Sequence, residues 1–184
     1  MIAETRAEVD PALKAYIDER LAEIASRVPD NRVALVVFSG DLDRQLASLV
    51  IATGAAAMGM EVAIFYTFWG LSALKKETRL KGKSFKEKMF AIMTPKRLAK
   101  MPVSTMNFGG MGRAMLKTMM REKQVASIDE LFAMAREMGV TLIACTMSMD
   151  VMGITKEELL DGVALGGVAT FLGEAARSRV SLFI

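Results

Sequence analysis

Two short and nearly unbroken apolar runs, Arg32 to Gly40 (RVALVVFSG) and Glu61 to Trp69 (EVAIFYTFW), constrain this chain more than any other feature. Both are rich in β-branched and aromatic residues and show no polar alternation. Such runs suit strands buried on both faces, as in a parallel sheet covered by helices. Between them, Leu42 to Gly59 turns to a helical pattern with Ala-rich faces and a glycine at its end. Strand, helix and strand together span the length a parallel crossover needs. The alternation then repeats. Ser127 with Glu130 reads as a capping box opening a helix that runs to about Met138, where Gly139 ends it. Thr141 to Met149 (TLIACTMSM) reads as a third strand and its exit loop, and Thr155 with Glu158 as the start of a short helix. Gly162 to Leu165 is a short strand, Val168 to Ser178 a helix and Val180 to Ile184 a last strand. The expectation is an α/β, Rossmann-like three-layer fold with a mostly parallel sheet of about five strands.

A membrane-spanning reading competes over Leu46 to Leu74, where Glu61 is the sole charge. The finer pattern favours a buried helix followed by a strand. Gly54, Gly59 and Glu61 fall near the middle, and residue types switch there from Ala/Leu to Val/Ile/aromatic.

Outside the alternating region, Asp10 is placed to cap a helix with Pro11 at its first position. Leu13, Tyr16, Ile17, Leu21, Ile24 and Val28 make one apolar face before Pro29-Asp30-Asn31 breaks the pattern. Residues 1–31 are therefore expected to form an N-terminal helical extension, and residues 32–184 one α/β domain with a helical insertion at about 75–123. The start MIAETRAEVDP has no basic stretch followed by an apolar one, so no secretory signal is visible.

The insertion is chemically distinct. Lys75 to Lys123 holds 14 Lys and Arg against 3 Asp and Glu, while the rest of the chain carries 10 against 18. It is also rich in Met, with Met89, Met93, Met101, Met106, Met111, Met115, Met119 and Met120. Within it, Lys86 to Lys100 looks amphipathic, Pro95 and Pro102 interrupt, Asn107 to Gly112 forms a glycine loop, and Arg113 to Glu122 reads as another helix. A basic, Met-rich segment suits an oligomer interface, an acidic protein partner, or weak peripheral contact with an anionic membrane. Nucleic acid fits poorly, because aromatics are not interleaved with the basic residues.

Composition excludes much chemistry. There is no His, hence no Ser-His or Cys-His nucleophile pair and no histidine metal site. One Cys precludes an intrachain disulfide or a CxxC redox pair, and points to a reducing cytoplasmic setting.

Ligands of parallel α/β sheets bind outside the carboxyl ends of strands. That places Ser39-Gly40-Asp41, the Thr67 to Gly70 exit with Trp69, and the Cys145 to Asp150 exit at the candidate site. Cys145 is the one soft nucleophile; it needs a lowered pKa and access, with the basic segment as a source of positive field. The competing reading is a buried, apolar core cysteine. Asp41, Asp43 and Asp150 could hold Mg²⁺, although helix capping and turn chemistry explain them more simply. Gly109-Gly110-Met111-Gly112 follows no strand and lacks both dinucleotide and Walker spacing. No resident cofactor or metal is expected.

Several motifs together resemble the DsrE/DsrF-like sulfur-relay family, in a subgroup often labelled as peroxiredoxins. They are Val36 to Asp43 (VVFSGDLD), Ala57 to Val62 (AMGMEV), Phe65 to Gly70 (FYTFWG), Asn107 to Gly112 (NFGGMG) and, most specifically, Ala144 to Gly153 (ACTMSMDVMG). The resemblance covers roughly Arg32 to Ile184. It implies a homo-oligomer (trimer, tetramer or hexamer) and cytoplasmic sulfur trafficking, in which the family cysteine, matched by Cys145, accepts sulfane sulfur as a persulfide and passes it to a partner thiol. TusA-like or rhodanese partners are implied, and acidic carriers of that kind would suit the basic face. In such a site Thr146 and Ser148 are placed to donate hydrogen bonds to the anion, as are Ser39 and the amides of Gly40 and Asp41, while Gly109 and Gly110 join the binding set through the glycine loop. The peroxiredoxin label has little local support: a Pro-x-x-x-Thr-x-x-Cys pattern would need Pro at Met138 and Thr at Leu142. Peroxidase activity is not expected. The alternative function is a non-catalytic oligomeric scaffold with Cys145 structural.

Overall fold

The computed structural model describes residues 10–93, 101–105 and 107–184. Strands β1 (Asp30–Val37), β2 (Glu61–Tyr66), β3 (Thr141–Cys145), β4 (Ala164–Gly166) and β5 (Ser178–Phe183) form one sheet in the order β4-β3-β2-β1-β5. All neighbouring pairs are parallel. The expected α/β architecture is present, and the apolar runs are two of its three interior strands.

Handedness explains where the helices lie. Helix α2 (Leu42–Ala57) connects β1 to β2, and α5 (Ile128–Glu137) leads into β3. Both moves step in one direction across the sheet, so right-handed crossovers place both helices on one face. The step from β4 back to β5 runs the other way, so its helix, α7 (Val168–Arg177), falls on the opposite face. The cores follow. Leu35, Val37, Ile64, Tyr66, Leu142 and Ala144 point to the α2/α5 face in the large cluster. Val36, Phe65, Ile143 and Cys145 point to the α7 side and form a small cluster with Ala63 and Phe171.

Local chemistry sets the element ends. Ala12 N donates to Asp10 Oδ1 at 2.9 Å, opening α1 (Pro11–Arg27) as its sequence suggests. The apolar residues Leu13, Tyr16, Ile17, Leu21 and Ile24 of this helix are exposed. Helix α2 ends at Ala57 and Gly59 adopts φ +75°, so chain direction reverses before β2. The apolar stretch from Leu46 to Leu74 is thus a helix, a strand and a 3₁₀ turn over Phe68–Leu74. No helix among the described residues is long and apolar enough to cross a membrane.

Several expected boundaries move, β4 to Ala164–Gly166 and β5 to Ser178–Phe183 among them. β1 and β2 stop at Val37 and Tyr66, so Ser39-Gly40 and Thr67-Phe68-Trp69 lie beyond the strands. After β2 the backbone turns at Phe68, φ +44°, and Gly70 packs into the turn: a Cβ there would sit 2.1 Å from the Val37 carbonyl oxygen, and its N–H donates to the Phe38 carbonyl at 2.9 Å. The exit after β3 is not a loop, because Thr146–Met152 forms helix α6, closed by Gly153 at φ +63°. Within the insertion, α3 (Phe85–Met93) and α4 (Met111–Glu122) are helical. The rest of the expected amphipathic stretch, 94–100, and Met106 lie outside the described residues.

Candidate functional site

Cys145 ends β3 and occupies the N-cap position of α6. This juncture follows from sequence: the strand run TLIAC stops where Thr146 to Met152 supplies a helical turn with no glycine until Gly153. The first amides of a helix have no intrahelical partner and point back along the axis, here toward the sulfur. Burial of Cys145 pushes its thiol pKa up, but hydrogen bonding outweighs it. The hydroxyl and amide of Ser148, the hydroxyl of Thr67 and the amide of Met147 together hold the thiol below its ordinary value. Thr67 and Ser148 also bond each other, Oγ1 to Oγ at 2.7 Å, and both are buried. One hydroxyl proton is spent in that bond, so the pair presents one O–H to the sulfur and is held in place before any anion forms.

Two expectations are corrected. The leading stabilisers of the thiolate are these neutral donors rather than the Lys and Arg of the insertion. And Cys145, expected within reach at the sheet edge, is only 4% exposed in the single chain. It packs against Val36, Phe65 and Ile143, beside Phe171 of α7, whose ring lies 5.5 Å from that of Phe65. Cavities of about 350 Å³, at the amino ends of β1 to β3, and about 310 Å³, between α2, α4 and α5, open elsewhere, and Cys145 lines neither.

The other candidate residues divide into those near this juncture and those apart from it. Thr67 and Ser148 join Cys145 directly. Thr146 turns instead toward β4, its hydroxyl donating to the Gly166 carbonyl at 3.4 Å. Ser39 is buried in its own turn: its hydroxyl donates to Asp41 Oδ2 at 2.8 Å and accepts from the Asp41 amide at 3.0 Å. Asp41 holds the N-cap position of α2 without a side-chain cap bond. Gly40 lies against Trp69, where a Cβ would meet the Trp69 carbonyl oxygen at 3.1 Å. Trp69 stacks at 6.1 Å on Phe90 of α3. Asp150 is exposed on α6. Gly109 and Gly110, at φ +66° and +100°, shape the entry to α4, with Gly110 N donating to the Asn107 carbonyl at 2.7 Å; among the described residues no hydrogen bond joins them to Cys145.

The Mg²⁺ reading gains nothing. No group of three potential ligands occurs among the described residues. Asp43 is engaged by the Ser104 amide at 3.0 Å and the Ser104 hydroxyl at 2.5 Å.

Sequence reasoning missed two parts of this region. The Met147 amide was hidden by reading α6 as a loop. The second is a buried ion pair: Lys83 Nζ lies 2.6 Å from Glu158 Oε2, with side chains 6% and 0% exposed. Glu158 also accepts from the amides of Arg79 and Thr155 at 2.8 and 2.9 Å. Burial raises the Glu158 pKa, but Lys83 and these amides bring it below its usual value. The pair pins residues 75–84, the lead-in to α3, which packs on α6. The Thr155–Glu158 spacing signalled the cap, but a lysine 75 residues away leaves no local pattern.

The profile of the DsrE/DsrF/DrsH-like family matches residues 29–183. The chain belongs to this family. A relative from Bacillus subtilis (strain 168), the uncharacterized protein YrkE, is 48% identical over 154 residues, which cover 83% of this chain and 96% of that one. A second, from Allochromatium vinosum and named sulfur carrier protein DsrE2, is 34% identical over 166 residues, covering 83% of this chain and 98% of that one. Among solved structures, YchN from E. coli overlaps 83% of this chain and 98% of its own at 11% identity, with a TM-score of 0.48. Membership and a relative of that name support a general role in sulfur relay for this DsrE-like chain.

Proposed function

We propose that this chain takes up sulfane sulfur on Cys145 as a persulfide and hands it to a partner thiol. The carrying observation is the β3–α6 juncture, where Ser148, Thr67 and the Met147 amide favour the sulfur anion. In the loading step the Cys145 thiolate attacks the outer sulfur of a donor persulfide. The S–S bond of the donor breaks and the donor thiolate departs, leaving Cys145–S–S⁻ with no net oxidation. In the unloading step an acceptor thiolate attacks that outer sulfur and the Cys145 thiolate leaves. Thr67 and Ser148 favour Cys145 as the attacking thiolate in the first step and as the leaving thiolate in the second. The absence of a second cysteine suits a carrier, since no internal thiol resolves the persulfide.

Burial of Cys145 requires the covering elements to part, or a partner to open them, at the moment of transfer. The natural point of movement is α7, through Phe171 over Phe65. A cytoplasmic location, a homo-oligomer of three, four or six chains, and an acidic TusA-like or rhodanese partner belong to the same proposal. The exposed apolar residues of α7 and β5, among them Val168, Leu172, Leu182 and Phe183, supply a surface on which copies could associate.

The burial itself favours a second reading, a non-catalytic oligomeric scaffold with Cys145 as filler. Intact-protein mass spectrometry separates the two. The reduced protein is exposed to polysulfide and to a loaded carrier, beside Cys145→Ser. Sulfur-step mass additions on the wild type alone, lost to an acceptor thiol, support transfer. No addition from either donor to the folded protein leaves the scaffold.

A further inference from the structure

Helix α3 is inverted relative to an ordinary surface helix. Its inward side is Glu87, half-buried, and Ala91, buried. Its outward side is Phe85, Met89 and Ile92, which recur at helical spacing and are 82%, 48% and 68% exposed. At about 100° per residue, Lys86 and Lys88 fall on opposite borders of that apolar strip, and both are exposed. The helix is firmly seated. Ser84 N donates to Glu87 Oε2 at 2.6 Å and Glu87 N to Ser84 Oγ at 3.4 Å, capping its start. The Lys83–Glu158 pair anchors the lead-in, and Phe90 rests on Trp69. The apolar strip is thus displayed by a fixed scaffold.

We propose that α3 is a membrane-surface helix that rests on anionic lipid, with Phe85, Met89 and Ile92 at the acyl boundary and Lys86 and Lys88 at the phosphates. The geometry selects this occupant. A convex apolar ridge rimmed by cations matches an interface that is apolar beneath and negative above. A second copy of the same segment would bring 14 basic and 3 acidic residues against an identical set. An acidic protein would be met by charge at the centre of the patch, where this helix carries Phe, Met and Ile. Helix α4 carries another exposed row, Met111, Met115 and Met119, within the same basic segment. Contact of this size is reversible and charge-dependent.

The test is flotation of the full chain with vesicles of phosphatidylcholine alone and of phosphatidylcholine mixed with phosphatidylglycerol, at low and high salt. The expected result is binding to the anionic vesicles at low salt, loss at high salt, and none with neutral lipid. Lys86→Ala and Lys88→Ala should each lower partition by about fivefold. Phe85→Ser with Ile92→Ser should lower it by at least about tenfold, with an unchanged melting temperature because both side chains are exposed. Trp69, the sole tryptophan, lies under Phe90 and should shift its emission to the blue on binding. Failure to float with anionic vesicles at low salt overturns the proposal, as does flotation indifferent to the Phe85/Ile92 change. Dissociation of an oligomer by that change, without effect on flotation, assigns the face to contacts between copies and also overturns it. Cys145→Ser should float like the wild type, so loss of sulfur loading and loss of membrane binding are read separately.

Discussion

On one face of the sheet, α2 and α5 close over Leu35, Val37, Ile64 and Leu142, and these side chains are all but excluded from solvent. On the other, α7 alone crosses the strands, and Val36, Phe65, Ile143 and Cys145 make a cluster one layer deep. The difference follows from strand order: several crossovers step toward β4, and one returns to β5. The lesson is that stability and chemistry are separated across the same sheet. The fully covered face holds the fold, and the thinly covered face holds the sulfur atom.

The contrast can be broken at its strong side first. Leu35→Ala should cost about 4 kcal/mol, the range for a large buried side chain whose neighbours cannot collapse, read by chemical denaturation. Phe171→Leu on the thin face should cost about 1 kcal/mol. Equal losses would show that the two faces contribute alike. Next comes the pin that ties the insertion to the body. Glu158→Gln leaves Lys83 buried without its carboxylate and should cost about 3 kcal/mol. The sign of its pH dependence is set by the folded-state pKa, which lies below the usual carboxylate value. The stabilisation is complete above the unfolded pKa of roughly 4.3 and fades as pH falls through the lower folded value. Glu158→Gln should therefore flatten the acid limb of the stability profile. Smaller still, Ser127→Ala removes a capping hydroxyl that accepts from the Glu130 amide at 3.3 Å and should cost about 1 kcal/mol.

The mildest change to the fold is the sharpest test of the site. Ser148→Ala removes the hydroxyl that most favours the Cys145 thiolate. Its sulfur-loading rate should rise with pH along a curve displaced to higher pH than that of the wild type. A curve that does not move would mean that the hydroxyl pair does not set the thiol's reactivity.

Strands β1, β2 and β3 were legible because burial on both faces writes itself as nearly unbroken apolar, β-branched runs, a signal independent of distant residues. The Ser127–Glu130 and Asp10 caps were legible because capping is local. The end of β2 was not, because the turn that follows it seats Gly70 against the backbone of a strand more than thirty residues earlier, at Val37. Cys145, Thr67 and Ser148 could each be placed at a strand exit, but not their meeting, which depends on α6 being a helix. The leading donors to Cys145 were hidden for a related reason. Charge counted along the chain says nothing about which donors reach a particular atom, and two hydroxyls with two amides do so here.

Strand β1 pairs with β2 through Arg32 to Val37 and with β5 through Asp30 to Val36, and these partners lie at very different distances along the chain. The first is made within one crossover, the second only after residue 178 has been synthesised. At about 5–20 residues per second, a ribosome leaves the second edge of β1 open for on the order of ten seconds. That edge belongs to one of the two long apolar runs of the molecule, with free amides and carbonyls until β5 arrives, the kind of surface that pairs with whatever strand is nearby. The strand that organises the finished sheet is thus the one most in need of shielding while the chain is being made, and the yield of folded protein should depend on how quickly the last strand arrives.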